Sequence, residues 1–162
     1  MKSLFNLIKV LLLVITTLFI NGCDKDEEIV TYDLTGDWKV ISFENYLTST
    51  KITKSEDNTW TQFNAGDNTI SFIKSNSTNG VIYGINVTNS FSANYTIDQK
   101  GKIDINDGIW TMINEPEWGK LFHSIVNAET YEIKSGRLII FYNQKRNSMT
   151  LERYFNTPTV NV

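Results

Sequence analysis

This sequence of 162 residues is poor in the side chains that carry chemistry: it has one cysteine, Cys23, and one histidine, His123. A single cysteine excludes an internal disulfide and a cysteine-rich metal site, and a single histidine excludes a multi-histidine cluster. Basic charge is also short. Fifteen Lys and Arg stand against 18 Asp and Glu, a net charge of −3. A mildly acidic chain with no basic stripe argues against a nucleic-acid partner, whose affinity comes mainly from phosphate neutralisation. No G-x-S-x-G elbow, P-loop or dinucleotide glycine pattern occurs. The longest largely apolar stretch, Val10 to Ile20 with Thr16 and Thr17 inside it, has 11 residues, against the roughly 20 that a membrane-spanning helix needs.

What is present begins with an address. Lys2 and Lys9 precede the short apolar run, the form of a secretory signal peptide covering residues 1–22. The run ends at Ile20-Asn21-Gly22-Cys23, which resembles the lipobox of bacterial lipoproteins. That resemblance implies that the Cys23 thiol receives a diacylglyceryl group and that small Gly22 admits the peptidase. The alternative is a stray cysteine after an ordinary signal peptide. Two or three acyl chains on one residue anchor stably, where a single chain is marginal. The following Asp24-Lys25-Asp26-Glu27-Glu28 resembles the surface-export signal of Bacteroidetes lipoproteins. A plain solvated acidic tether and inner-membrane retention by Asp24 are the competing readings. The expectation is an outer-membrane lipoprotein, with display outside the cell implied by the export-signal resemblance, whose membrane partner is reached through Cys23 and a tether over residues 23–32.

Residues 33–157 read as one β domain. Short alternating runs are separated by turn clusters: Leu34 to Phe43, Thr59 to Phe63, Thr69 to Lys74, Gly80 to Ile85, Phe91 to Asp98, Ile103 with Ile105, Ile109 to Ile113, Tyr131 to Lys134, Arg137 to Tyr142 and Met149 to Tyr154. Asn106-Asp107-Gly108 carries a hairpin signal. One segment changes period. Apolar residues at 118, 121, 122, 125 and 126 form a helical stripe, with Asn114 as a cap, Glu117 as its capping-box partner and Pro116 in the first turn. The expected fold class is mainly β: a small antiparallel barrel of about nine strands with one amphipathic helix before the last three.

The order of these elements resembles the META domain family, whose heat-shock member is HslJ. Leu34-x-Gly36-x-Trp38 is similar to its opening L-x-G-x-W, and Asn89 to Tyr95 to its N-x-[FY]-x-G-x-Y section. Thr111-Met112 and Glu115 to Val126 are similar to its pre-helix step and helix, and Tyr131-x-Ile133-x-x-Gly136-x-Leu138 to the hairpin that follows. The cysteines of the family's G-C-N and T-x-M-x-C steps are absent near Thr88 and Asn114. The resemblance implies a barrel-like fold and an interaction or stress-tolerance role. Gly36-Asp37-Trp38 also matches the G-x-W of lipocalin-type barrels, but there the long helix follows the last strand. Either way Trp38 reads as a plug at one barrel end.

No catalytic, metal or cofactor set assembles from the remaining residues. His123 lies off the helical stripe and reads as a solvated surface residue. Asp104-Ile105-Asn106-Asp107-Gly108 has the wrong acidic spacing for a calcium loop. Glu115 and Glu117 fit a first helical turn, where the helix dipole favours them. The aromatics Trp60, Phe63, Phe72, Tyr83, Phe91, Tyr95, Trp110 and Tyr142 fill a core or line a cavity. The expectation is a non-enzymatic envelope lipoprotein, with a lipocalin-like carrier of a small apolar ligand as the alternative. A filled or an open barrel interior separates the two.

Overall fold

A computed structural model describes residues 33–155; the expected signal peptide 1–22, Cys23, the tether to residue 32 and residues 156–157 of the expected domain lie outside them. Nine strands form one antiparallel sheet: β1 (Gly36–Asn45), β2 (Thr50–Ile52), β3 (Thr69–Lys74), β4 (Asn79–Ile85), β5 (Ser90–Ile97), β6 (Ile103–Trp110), β7 (Ala128–Lys134), β8 (Arg137–Tyr142) and β9 (Asn147–Arg153). Their order is β6-β5-β4-β3-β1-β9-β8-β7, with β2 paired to β1. The sheet curls into a half-barrel, as strand twist requires of a sheet this wide. Its two ends touch at one place, where Lys102 bridges Thr130 and the Tyr131 N–H donates to the Gly101 carbonyl at 2.7 Å. One helical segment precedes the last three strands: α1 (Glu117–Leu121) and a 3₁₀ continuation (Phe122–Asn127). The expected class, order and helix position therefore hold.

Alternation builds the core. Trp38 and Val40 on β1, Ile70 and Phe72 on β3, Phe91, Ala93 and Tyr95 on β5, and Leu138 and Ile140 on β8 all face inward and are buried. On β1 the phase slips. The register passes from Val40–Leu151 to Ser42–Thr150, so Ile41 is an extra residue in a bulge and Phe43 turns inward. That slip is the offset between Ile41 and Phe43 in the sequence.

Turn chemistry closes the hairpins. Ser135 and Gly136 both have positive φ, 51° and 73°, the two-residue primed turn that matches strand twist. After β5, Asp98 Oδ1 accepts the Lys100 and Lys102 N–H groups at 2.8 and 2.9 Å, bonds that hold its carboxyl below the usual carboxylate range. At the start of β1, Gly36 has φ +119°, and a Cβ there would fall 2.4 Å from Arg153 Nη1. The Arg153 guanidinium caps the Trp38 ring at 3.9 Å, and the Trp38 indole N–H donates to the Leu34 carbonyl at 2.9 Å. The L-x-G-x-W opening is thus a packed plug at one end of the half-barrel.

Four expectations are corrected. Thr59 to Phe63 is not a strand but part of a turn region leading to a 3₁₀ turn at Asn64–Gly66; Trp60 and Phe63 pack on each other, ring centroids 6.4 Å apart, with no ladder partner. A short β2 instead pairs with the end of β1. Asn106-Asp107-Gly108 is not a hairpin. The register runs from Asn94–Asn106 to Ser92–Ile109, so the positive φ of Asp107, 57°, makes a bulge inside one continuous strand. The helix begins after Pro116 with no side-chain cap from Asn114, because the segment before it is tied to the sheet instead. Trp118, Phe122 and Ile125 are fully buried as the stripe predicts, Leu121 is half-buried, and Val126 is exposed because the 3₁₀ continuation rotates the stripe.

Phe122→Ala or Trp118→Ala is expected to destabilise by roughly 3–5 kcal/mol, and Val126→Ala by about 0.5 kcal/mol or less. Urea unfolding followed by circular dichroism measures both, and equal losses at the three positions would contradict the docked helix.

Candidate functional site

The helix lies over the mouth of the half-barrel opposite the Trp38 plug and is held there by side-chain amides. Asn68 Nδ2 donates to the Trp118 carbonyl at 2.8 Å and Asn86 Nδ2 to the Gly119 carbonyl at 3.3 Å. The Trp118 N–H donates to the Asn58 carbonyl at 2.9 Å. Asn89, in the turn between β4 and β5, holds the segment that enters the helix. Its Oδ1 accepts the Ile113 N–H at 2.6 Å and its Nδ2 donates to the Ile113 carbonyl at 2.9 Å.

Glu115 is corrected most strongly. It precedes the helix, is buried, and binds the sheet. Its Oε1 accepts the N–H groups of Thr88 and Asn89 at 3.1 and 2.8 Å and Asn89 Nδ2 at 2.6 Å. Three donors on one oxygen account for a buried carboxylate without a cation. Its Oε2 lies over Gly119, where a Cβ would collide with it, so any side chain there would displace the Glu115 carboxylate from its donors. Glu117 is exposed in the first turn of α1, as expected. Oε2 of Glu115, the Oδ1 atoms of Asn68 and Asn86 and the Trp118 indole nitrogen have no hydrogen-bond partner among the described residues.

His123 is half-buried, not solvated. Its ring stacks on Trp110 with centroids 4.2 Å apart and an interplanar angle of 12°. The two rings meet because the 3₁₀ continuation packs along the end of β6. Asp104 and Asp107 sit exposed on β6 and accept from Asn106 and Asn94 at 3.2 and 3.3 Å, and among the described residues no His, Cys, Asp or Glu group has the makings of a metal site. Of the eight singled-out aromatics, Phe72, Phe91 and Tyr95 are core, Trp60, Trp110 and Tyr142 half-buried, and Phe63 and Tyr83 exposed. Burial pushes the Tyr95 and Tyr142 hydroxyls up from their ordinary value.

A groove of about 300 Å³ opens on the outer face of the sheet. Two adjacent cross-strand rows build it. One runs Asp37, Ser71, Tyr83 and the other Thr69, Ile85, Ser90, with Tyr154 beside them after β9. The Ser71 hydroxyl donates to Asp37 Oδ1, and the Tyr154 N–H donates to the Asp37 carbonyl at 2.9 Å. Sequence reasoning singled out Tyr83 but missed Asp37, Ser71 and Tyr154. Outward positions on alternating strands were the available signal, and only the register aligns them.

No family model matches the chain, and no curated protein matches it. Among solved structures, the chain is similar to a crystal structure of a DUF4847 family protein from Bacteroides vulgatus. The two are 15% identical, with a TM-score of 0.51 over 74% of this chain and 93% of that one. The likeness is one of fold.

Glu115→Ala removes the acceptor of two main-chain N–H groups and is expected to destabilise by about 2–4 kcal/mol; Gly119→Ala, by overpacking, by about 1–3 kcal/mol. Because the two residues touch, Gly119→Ala is expected to cost at least about 1 kcal/mol less in the Glu115→Ala background. Additive losses in a double-mutant cycle of urea midpoints would refute the contact.

Proposed function

We propose that this chain is a non-enzymatic cell-envelope lipoprotein whose META-like β domain, anchored through an acylated Cys23, works by contacts on its outer surface. The observation that carries the reading is the filled interior. Trp38, Phe72, Phe122, Trp118, Tyr131, Ile82 and Leu138 are each less than 2% exposed and belong to one continuous cluster. A carrier of a small apolar molecule needs an internal cavity lined by such residues; here they pack on one another, as Phe72 does edge-on against Tyr95 at 5.3 Å and Phe43 against Trp118 at 5.0 Å. This favours the lipoprotein reading over the lipocalin-like one. The only histidine is spent on stacking against Trp110, and the buried carboxylate of Glu115 on main-chain N–H groups, which speaks against catalysis at either. The lipobox Ile20-Asn21-Gly22-Cys23 and the acidic segment after it support an outer-membrane address.

Mass spectrometry of the mature N-terminus is expected to find an acylated Cys23, and Cys23→Ala to release a folded protein from the membrane fraction. An unmodified start at another residue, or membrane retention of Cys23→Ala, would overturn the proposal.

A further inference from the structure

We infer that the outer groove over β1, β3, β4 and β5 is a binding site for a neutral saccharide. The inference rests on the reading that the outer surface, not the interior, makes contacts, and it is independent of Cys23 acylation. The groove mixes two kinds of surface. Tyr83, Ile85 and Tyr154 supply apolar faces, and Tyr83 is 54% exposed, Ile85 49%. Between them stand the Asp37 carboxylate and the hydroxyls of Ser71, Thr69 and Ser90.

These polar groups have capacity to spare. Among the described residues the hydroxyls of Tyr83, Tyr154 and Ser90 make no hydrogen bond, and Ser71 engages one oxygen of Asp37 only. Among the described residues no cation lines the groove. Lys39, the cross-strand partner of Thr69, stands at its edge, 5.8 Å above the Tyr154 ring and paired with Glu152 at 3.3 Å.

Each ligand class makes a different demand on this lining. A hydrocarbon would strip water from Asp37 and return no hydrogen bond, which is costly. An anion would face the Asp37 carboxylate, with Lys39 beside the groove already paired to Glu152. A neutral sugar carries an apolar C–H face for the tyrosine rings and a rim of hydroxyls for the carboxylate and serines, so it satisfies both kinds of surface at once. The volume lies at the lower end of small-molecule sites, and the groove's open form suits one or two rings of a longer chain.

Saturation-transfer NMR on the full-length protein in detergent, with maltotriose, cellotriose, xylotriose, mannotriose and chitotriose as probes, tests this. At least one is expected to bind with a Kd of about 1 mM or tighter. Tyr83→Ala and Asp37→Asn are expected to weaken it by about tenfold without moving Tm, and Phe63→Ala, an exposed aromatic outside the groove, to leave it unchanged. No transfer from any probe at about 10 mM, wild-type binding by Tyr83→Ala, preferential binding of galacturonate trimers or of amines, or a dimer in sedimentation that Tyr83→Ala dissolves would each overturn the proposal. Failure here leaves Cys23 acylation standing, and an unacylated Cys23 leaves groove binding standing.

Discussion

Trp118 at the mouth of the half-barrel is the contact on which the rest of this structure depends. Strand twist curls a single wide sheet into a half-barrel, but curling leaves an apolar interior open at both ends. At one end Trp38, its ring under the Arg153 guanidinium and its indole N–H on the Leu34 carbonyl, closes the gap with a residue of the sheet itself. At the other end Trp118, fully buried with its ring edge-on to Phe43 of β1, comes from the inserted helix. A helix of five α-helical residues has little stability alone. Its position is therefore imposed from outside, by the amides of Asn68 and Asn86 and by the carboxylate of Glu115 on the turn between β4 and β5.

This arrangement explains where polar groups are concentrated. A chain leaving a strand to cross an open barrel end exposes main-chain donors and acceptors that no ladder satisfies. Asn58, Asn68, Asn86, Asn89 and Glu115 satisfy them here, which is why one pole of an otherwise apolar core is rich in amides. The same demand occupies Glu115, while His123 is occupied by stacking on Trp110. On the outer face of the sheet, register brings Asp37, Ser71 and Tyr83 into one row.

Much of the architecture was legible because it follows from period. Alternation located most of the strands, and the 3.6-residue stripe located Trp118, Phe122 and Ile125. The misreadings have a common cause. Asn106-Asp107-Gly108 has the composition of a hairpin, yet a left-handed Asp107 serves a bulge equally well, and only the pairing partner decides between them. Thr59 to Phe63 has strand-like composition, but a strand exists only when a neighbour offers a free ladder. Asn114 has the composition of a cap, but the entry to the helix is governed by Asn89 and Glu115.

By itself, then, the sequence determined the strand order along the chain, the helix and its buried face, the plug at Trp38 and the candidate lipid anchor at Cys23, because each depends on local spacing or on a short contiguous motif. The tertiary structure alone decided that Glu115 is a buried clasp, that a side chain at Gly119 would collide with it, that His123 stacks on Trp110 and that a groove exists outside the barrel. Those facts depend on which residues, tens of positions apart, are set side by side by register and curl, and no local pattern encodes that pairing.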